Sequence, residues 1–167
     1  MARTRRITPD EWRLLKPRLT LTDRLICDIM RQTGYRVSDV LSLTVLQCCR
    51  CKITVTEQKT GKTRTTHIRS RTCGELRKYA ERRGKRPHER MFDCDVSTVY
   101  RHITTAANQL GFDHISAHSF RKAFAYDYAK CYGLTAAQKE LQHDRLETTM
   151  IYCLDLEAIV ADEKKGR

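Results

Sequence analysis

Apolar residues recur at helical spacing in one segment after another, and a glycine closes four of those segments. Leu25, Ile26, Ile29 and Met30 precede Gly34. Leu76, Tyr79 and Ala80 precede Gly84. Val96, Val99, Tyr100, Ile103 and Ala106 precede Gly111, and Phe120, Ala123, Phe124 and Tyr128 precede Gly133. Glycine ends a helix because it takes the left-handed conformation without a Cβ penalty. Start signals match these stops. Thr8-Pro9-Asp10-Glu11 places a capping threonine, a proline at the first helical position and a glutamate at the third. That helix should carry Trp12, Leu14 and Leu15 and stop near Pro17. Ser38 is expected to cap a short helix holding Val40, Leu41 and Leu43, and Thr72 with Glu75 to open the helix ending at Gly84. Thr135 to Gln142 reads as a further short helix. One region breaks the pattern: Cys51 to Gln58 alternates, with Ile53 and Val55 on one face, and Thr63 to Ile68 is rich in threonine. With Lys59-Thr60-Gly61-Lys62 between them, these form a hairpin with a basic tip. The expected fold is mostly α with a small antiparallel β-sheet (α+β), in a single domain with no repeat and no internal boundary.

Lys and Arg outnumber Asp and Glu by 32 to 20, a formal charge of +12 over 167 residues. An excess of that size points to a polyanion, with nucleic acid the default. Arg3, Arg5 and Arg6 make a basic arm of about the first seven residues, and Arg82 to Arg90 reads as a basic, phosphate-contacting loop. No apolar run is long enough to span a bilayer and no signal peptide opens the chain, so an intracellular protein with no membrane partner is expected. Eight cysteines show no framework spacing; Cys48 and Cys51 form a lone C-x-x-C without a second pair. Reduced, mostly buried thiols are expected over zinc, and no metal ligands are assigned.

The candidate chemistry lies between His118 and Tyr152. His118 and Arg121 are three apart in a helical pattern and so share a face, and imidazole beside guanidinium suits a phosphate. His143 and Tyr152 are nine apart. A continuous helix would turn through about 900° over that distance and set them on opposite faces. A break is therefore expected, with Asp144 and Glu147 as the start signal of a new helix carrying Met150, Ile151, Tyr152, Leu154 and Ile159. Arg36 falls in the turn after Gly34, and Asp39 three residues on either orients it or merely begins a helix. No Walker loop, dinucleotide fingerprint or carboxylate cluster for magnesium is present. The remaining set, with Lys59 on a turn, can transfer a phosphoryl group through a protein nucleophile. Arginines neutralise the oxygens, the phenol attacks, and a lysine on a mobile hairpin is a natural acid for the departing oxygen.

The same residues carry a family resemblance. Thr33-Gly34-Tyr35-Arg36-Val37-Ser38-Asp39-Val40-Leu41-Ser42-Leu43 resembles the first arginine box of the tyrosine recombinases, the phage integrase and Xer superfamily. Gln58-Lys59-Thr60-Gly61-Lys62-Thr63-Arg64 resembles their lysine hairpin, and His118-Ser119-Phe120-Arg121 matches H-x-x-R. Leu141-Gln142-His143 with Thr148-Thr149-Met150-Ile151-Tyr152 resembles the closing box. Order and spacing of all four fit, over essentially the whole chain.

The resemblance implies the tyrosine recombinase catalytic-domain fold. It implies a site of Arg36, Lys59, His118, Arg121 and His143 around a scissile DNA phosphate, with Tyr152 as nucleophile forming a 3′-phosphotyrosine. Asp39 is expected to support Arg36; Lys62, Arg64 and Lys122 are expected to contact DNA. No cofactor is implied. The partner is double-stranded DNA, with a homotetramer on DNA from protomers that are monomeric when free, acting in the cytoplasm at the nucleoid. Residues from about 153 to 167 form a C-terminal helix and tail that either docks on a neighbour or packs on its own core. Lys122 departs from the family, standing where many members have a second histidine. The usual N-terminal core-binding domain is expected to be absent. Rival readings are a type IB topoisomerase-like relaxase and a non-catalytic DNA-binding protein on the same fold. Whether His118 or the phosphate accepts the phenol proton stays open at this level.

Overall fold

The computed structural model describes residues 4–56 and 61–153. In chain order the elements are α1 (Pro9–Leu15), a short 3-10 turn (Lys16–Arg18), α2 (Leu21–Thr33), α3 (Val37–Leu41), α4 (Val45–Cys48), β1 (Lys52–Thr56), β2 (Thr63–His67), α5 (Ser70–Arg82), α6 (Val96–Gln109), α7 (Ala117–Tyr132), α8 (Leu134–Leu141) and α9 (Leu146–Tyr152). The expected α+β class is what forms. The final helix expected from Leu154 to Ala161, and Lys59 with it, lies outside the described residues.

Local chemistry accounts for the ends that fell where expected. Thr8 accepts from the Glu11 backbone N–H while Glu11 reaches back to the Thr8 N–H, a complete capping box ahead of Pro9. Gly34 ends α2 at φ +67°, and a Cβ there would meet Phe124 Cδ1 at 2.4 Å, so the position admits only glycine. Three boundaries differ. Arg36 rather than Ser38 sits at the N-cap of α3, because the Asp39 carboxylate accepts from the Arg36 backbone N–H at 3.2 Å. Helix α5 begins at Ser70, ahead of Thr72. Asp144 does not cap α9: Arg145 holds that position, and the Asp144 carboxylate pairs instead with Lys62 at 2.8 Å.

The two strands are antiparallel, with Ile53 opposite Thr66 and Val55 opposite Arg64. Their outer face is zipped by Thr54–Thr65 and Thr56–Thr63 hydroxyl pairs at 2.8 and 2.9 Å. Their inner face buries Ile53, Val55, Arg64 and Thr66.

Helix α7 organises the packing. Phe120 and Ala123 belong to the main core, where Trp12 meets Phe120 edge-on at 5.0 Å. Ala125, Tyr126 and Ala129 belong to a second, smaller cluster with Ala137, Leu141 and Cys153. A helix buried on so many sides shows little amphipathicity, and its polar side chains Arg121 and Lys122 are buried too. None of the eight cysteines is in a disulfide; Cys27, Cys48, Cys73 and Cys153 are buried. Among the described residues no three His, Cys, Asp or Glu side chains gather to hold a metal ion. No described helix is long and apolar enough to cross a membrane.

Candidate active site

Four segments deliver the candidate side chains. The Gly34 turn aims Arg36 from the start of α3. The first turn of α7 carries His118, and Arg121 lies one turn further on. The α8–α9 junction carries His143, and the end of α9 carries Tyr152.

The break between His143 and Tyr152 is made differently from the expectation. Gln142 takes the left-handed conformation at φ +54°. Its N–H donates to Lys139 O at 3.1 Å, and the His143 N–H donates to Gln138 O at 3.1 Å. This double closure is the Schellman pattern, here built on glutamine where glycine is usual. The Gln138 side-chain amide secures the turn by donating to His143 O at 3.1 Å.

Arg121 is 1% exposed, and its guanidinium is held from two sides. Nη1 donates to Gly34 O at 2.5 Å and Nη2 to Leu141 O at 3.1 Å, joining the two turns that lead into Arg36 and His143. Nη2 also donates to His143 Nε2 at 3.3 Å. Arginine has no acceptor, so His143 Nε2 must be unprotonated, and its Nδ1–H then donates to Thr149 Oγ1 at 2.9 Å. Thr149 is fully buried and fixes the ring. The Arg36 guanidinium stands 3.9 Å from the buried Asp39 carboxylate, so Asp39 both begins α3 and faces Arg36.

Tyr152 meets both imidazoles edge-on, with centroids 5.2 Å from His118 and 5.1 Å from His143. Its hydroxyl is hydrogen-bonded to His118 Nε2 at 2.8 Å, with the His118 tautomer setting which group donates. Burial, then the positive charges of Arg121, Lys122 and Arg36, push the His118 imidazole down to about 4, so it is neutral at pH 7 and can accept. Burial raises the Tyr152 phenol, while Arg121 and Arg36 pull the other way. Both guanidiniums therefore act on the phenol and on His118, and the phenol stays protonated until a base takes its proton.

Lys59 lies outside the described residues. Arg64, expected to contact DNA, is buried: the inward register of β2 sets it against Tyr35, Thr33 and Glu140. Lys122 is buried as well. Its ammonium donates to Thr4 O and lies 5.3 Å from the Tyr152 ring centroid, at the edge of a hollow of about 330 Å³ bounded by Thr4, His118, Thr148, Ile151 and Tyr152. Lys62 is exposed and paired with Asp144. Sequence reasoning missed Thr149, the carbonyls of Gly34 and Leu141, and Tyr35, whose hydroxyl donates to Arg64 O at 2.9 Å. For Thr149 a signal existed: it sits three residues before Tyr152, on the same helical face, where a polar side chain needs a partner.

Residues 7–157 match the model of the phage integrase family. The chain belongs to that family. A curated relative, tyrosine recombinase XerA of Saccharolobus solfataricus, is 30% identical over 133 residues, which cover 78% of this chain and 45% of the relative. The chain thus spans less than half the length of that protein. Solved structures share its fold, and two of them serve as examples. One is XerA recombinase, at TM-score 0.77 and 20% identity over 98% of this chain and 66% of that one. The other is XerH site-specific recombinase bound to its palindromic difH substrate in a post-cleavage complex, at TM-score 0.76 and 18% identity over 98% and 53%. These relatives agree with the expected catalytic-domain fold.

Proposed function

We propose that this chain is the catalytic domain of a site-specific DNA recombinase, and that it breaks and rejoins duplex DNA through a 3′-phosphotyrosine at Tyr152. The observation that carries this reading is the Tyr152 hydroxyl hydrogen-bonded at 2.8 Å to a His118 held neutral by burial and flanking cations. In the proposed reaction the phenolic oxygen attacks the scissile phosphorus, its proton passes to His118 Nε2, and the bond to the 5′ oxygen breaks. Arg36 and Arg121 stabilise the charge on the non-bridging oxygens, and His143, its ring fixed by Thr149, accepts from Arg121 and holds that guanidinium in place. Lys59, placed in the hairpin by the family resemblance, protonates the leaving 5′ oxygen. The ester conserves the bond energy, so a 5′-hydroxyl can reverse the step without ATP. Asp39 supports Arg36, and Lys62 contacts the DNA backbone. The partner is double-stranded DNA, with four protomers assembled on two duplexes, in the cytoplasm at the nucleoid.

The test is trapping on a nicked suicide duplex carrying the target site. Wild type should accumulate a covalent 3′ adduct, and Tyr152→Phe should bind the same DNA without forming one. An adduct of equal yield from Tyr152→Phe would remove the nucleophile from this scheme.

A further inference from the structure

The strand β2 carries a buried guanidinium that the proposed reaction does not use. Arg64 lies opposite Val55 on the inward face of the hairpin, and its side chain is 5% exposed. Nη2 donates to Thr33 O at 2.7 Å. Nη1 donates to Glu140 O at 2.6 Å and lies 3.3 Å from Glu140 Oε1. The guanidinium stacks 4.3 Å from the Tyr35 ring centroid.

Arg121 joins Gly34 O to Leu141 O. Arg64 joins Thr33 O to Glu140 O, so the two guanidiniums bridge the same two turns one residue apart. Those turns run directly into Arg36 and His143. One bridge fixes the distance between two turns and leaves them free to pivot; two adjacent bridges fix the angle as well. Arg64 Nε is buried without a hydrogen-bond partner among the described residues, so the guanidinium is committed to the two carbonyls through its Nη atoms.

We propose that Arg64 is a positioning residue for phosphoryl transfer: paired with Arg121, it sets the angle at which Arg36 and His143 face the phosphate, and it makes no contact with DNA. This rests on the recombinase reading above. Misplacement of reacting groups by about 1 Å costs on the order of 100-fold in rate, and that is the scale expected here.

The experiment compares wild type, Arg64→Lys and Arg64→Met at a temperature where circular dichroism shows each folded. Single-turnover cleavage of the nicked duplex is measured at saturating DNA, and DNA affinity is measured across a salt series. Cleavage should slow by about 100-fold in Arg64→Met and about tenfold in Arg64→Lys, the amine retaining one of the two carbonyls. Affinity and its salt slope should stay within about twofold, because the side chain is buried. A wild-type rate in either folded variant overturns the proposal. So does weakened binding with a salt slope shallower by about 1, which would mark a phosphate contact. If Arg64→Met does not fold, Arg64→Lys decides. A wild type that forms no Tyr152-dependent adduct would count against the recombinase reading instead. The proposal is then judged on the His143 imidazole resonances of the DNA-free protein, which must shift in Arg64→Lys; unchanged resonances overturn it.

Discussion

Lowering the pH from 7 to 4 should destabilise this protein through His118 in particular. In the unfolded chain its imidazole takes up a proton near the ordinary value of 6.5; in the folded protein burial, Arg121, Lys122 and Arg36 delay that to about 4. Between those values the unfolded state binds more protons than the folded state, so stability rises with pH across the window and falls as acid is added. At roughly 1.4 kcal/mol per tenfold change in proton affinity, the loss reaches about 3 kcal/mol at pH 4. The assay is urea unfolding of wild type and His118→Gln at intervals from pH 7 to pH 4. Glu11, held down to about 2 chiefly by its bond to Arg5, contributes to the acid slope of both proteins and cancels in the difference. The difference should therefore shift by about 3 kcal/mol in favour of the variant as the pH falls. Parallel slopes, or a His118 imidazole that titrates near 6.5 by NMR, would refute the claim that this ring is held neutral for its bond to Tyr152.

Two further outcomes follow from the packing. Gly34→Ala brings a Cβ to 2.4 Å from the Phe124 ring in a left-handed backbone; conformational strain and overpacking together should cost about 3 kcal/mol. Scanning fluorimetry should show a drop on the order of 10 °C, and an unchanged melting temperature would mean that the turn is not as described. Thr149→Val keeps the shape but removes the acceptor for His143 Nδ1–H. Suicide-substrate cleavage should slow about tenfold with little change in DNA affinity, whereas a wild-type rate would show that the ring needs no such anchor.

The helical scaffold was readable because its signals are local. Thr8 with Glu11, and Gly34 with its left-handed turn, act on their own neighbours whatever the rest of the chain does. His118 and Arg121 were placed together by the helical period alone. The burial of Arg64 is not legible because its environment depends on cross-strand register: opposite Val55 it points inward, and no property of the strand by itself says so. The bend before His143 was assigned to Asp144, since glutamine gives no sign that it will adopt φ +54°. Lys122, expected to contact DNA, is buried because α7 is covered on faces that an amphipathic reading leaves to solvent. Carbonyl acceptors such as Gly34 O and Leu141 O carry no sequence signature at all.

Helix α7 divides its loyalties. The portion bearing His118 and Arg121 is rooted in the large core, whereas α9 rests on a handful of side chains around Cys153 and Leu141. Tyr152 is thus mounted on the smaller of the two clusters, and Arg121 on a helix rooted in the larger. Amide protons of α9 should exchange with solvent long before those of α7, and withdrawing the phenol would leave Arg121 in place. In the reaction proposed above, such a division lets the molecule grip a phosphodiester before it is committed to cutting one.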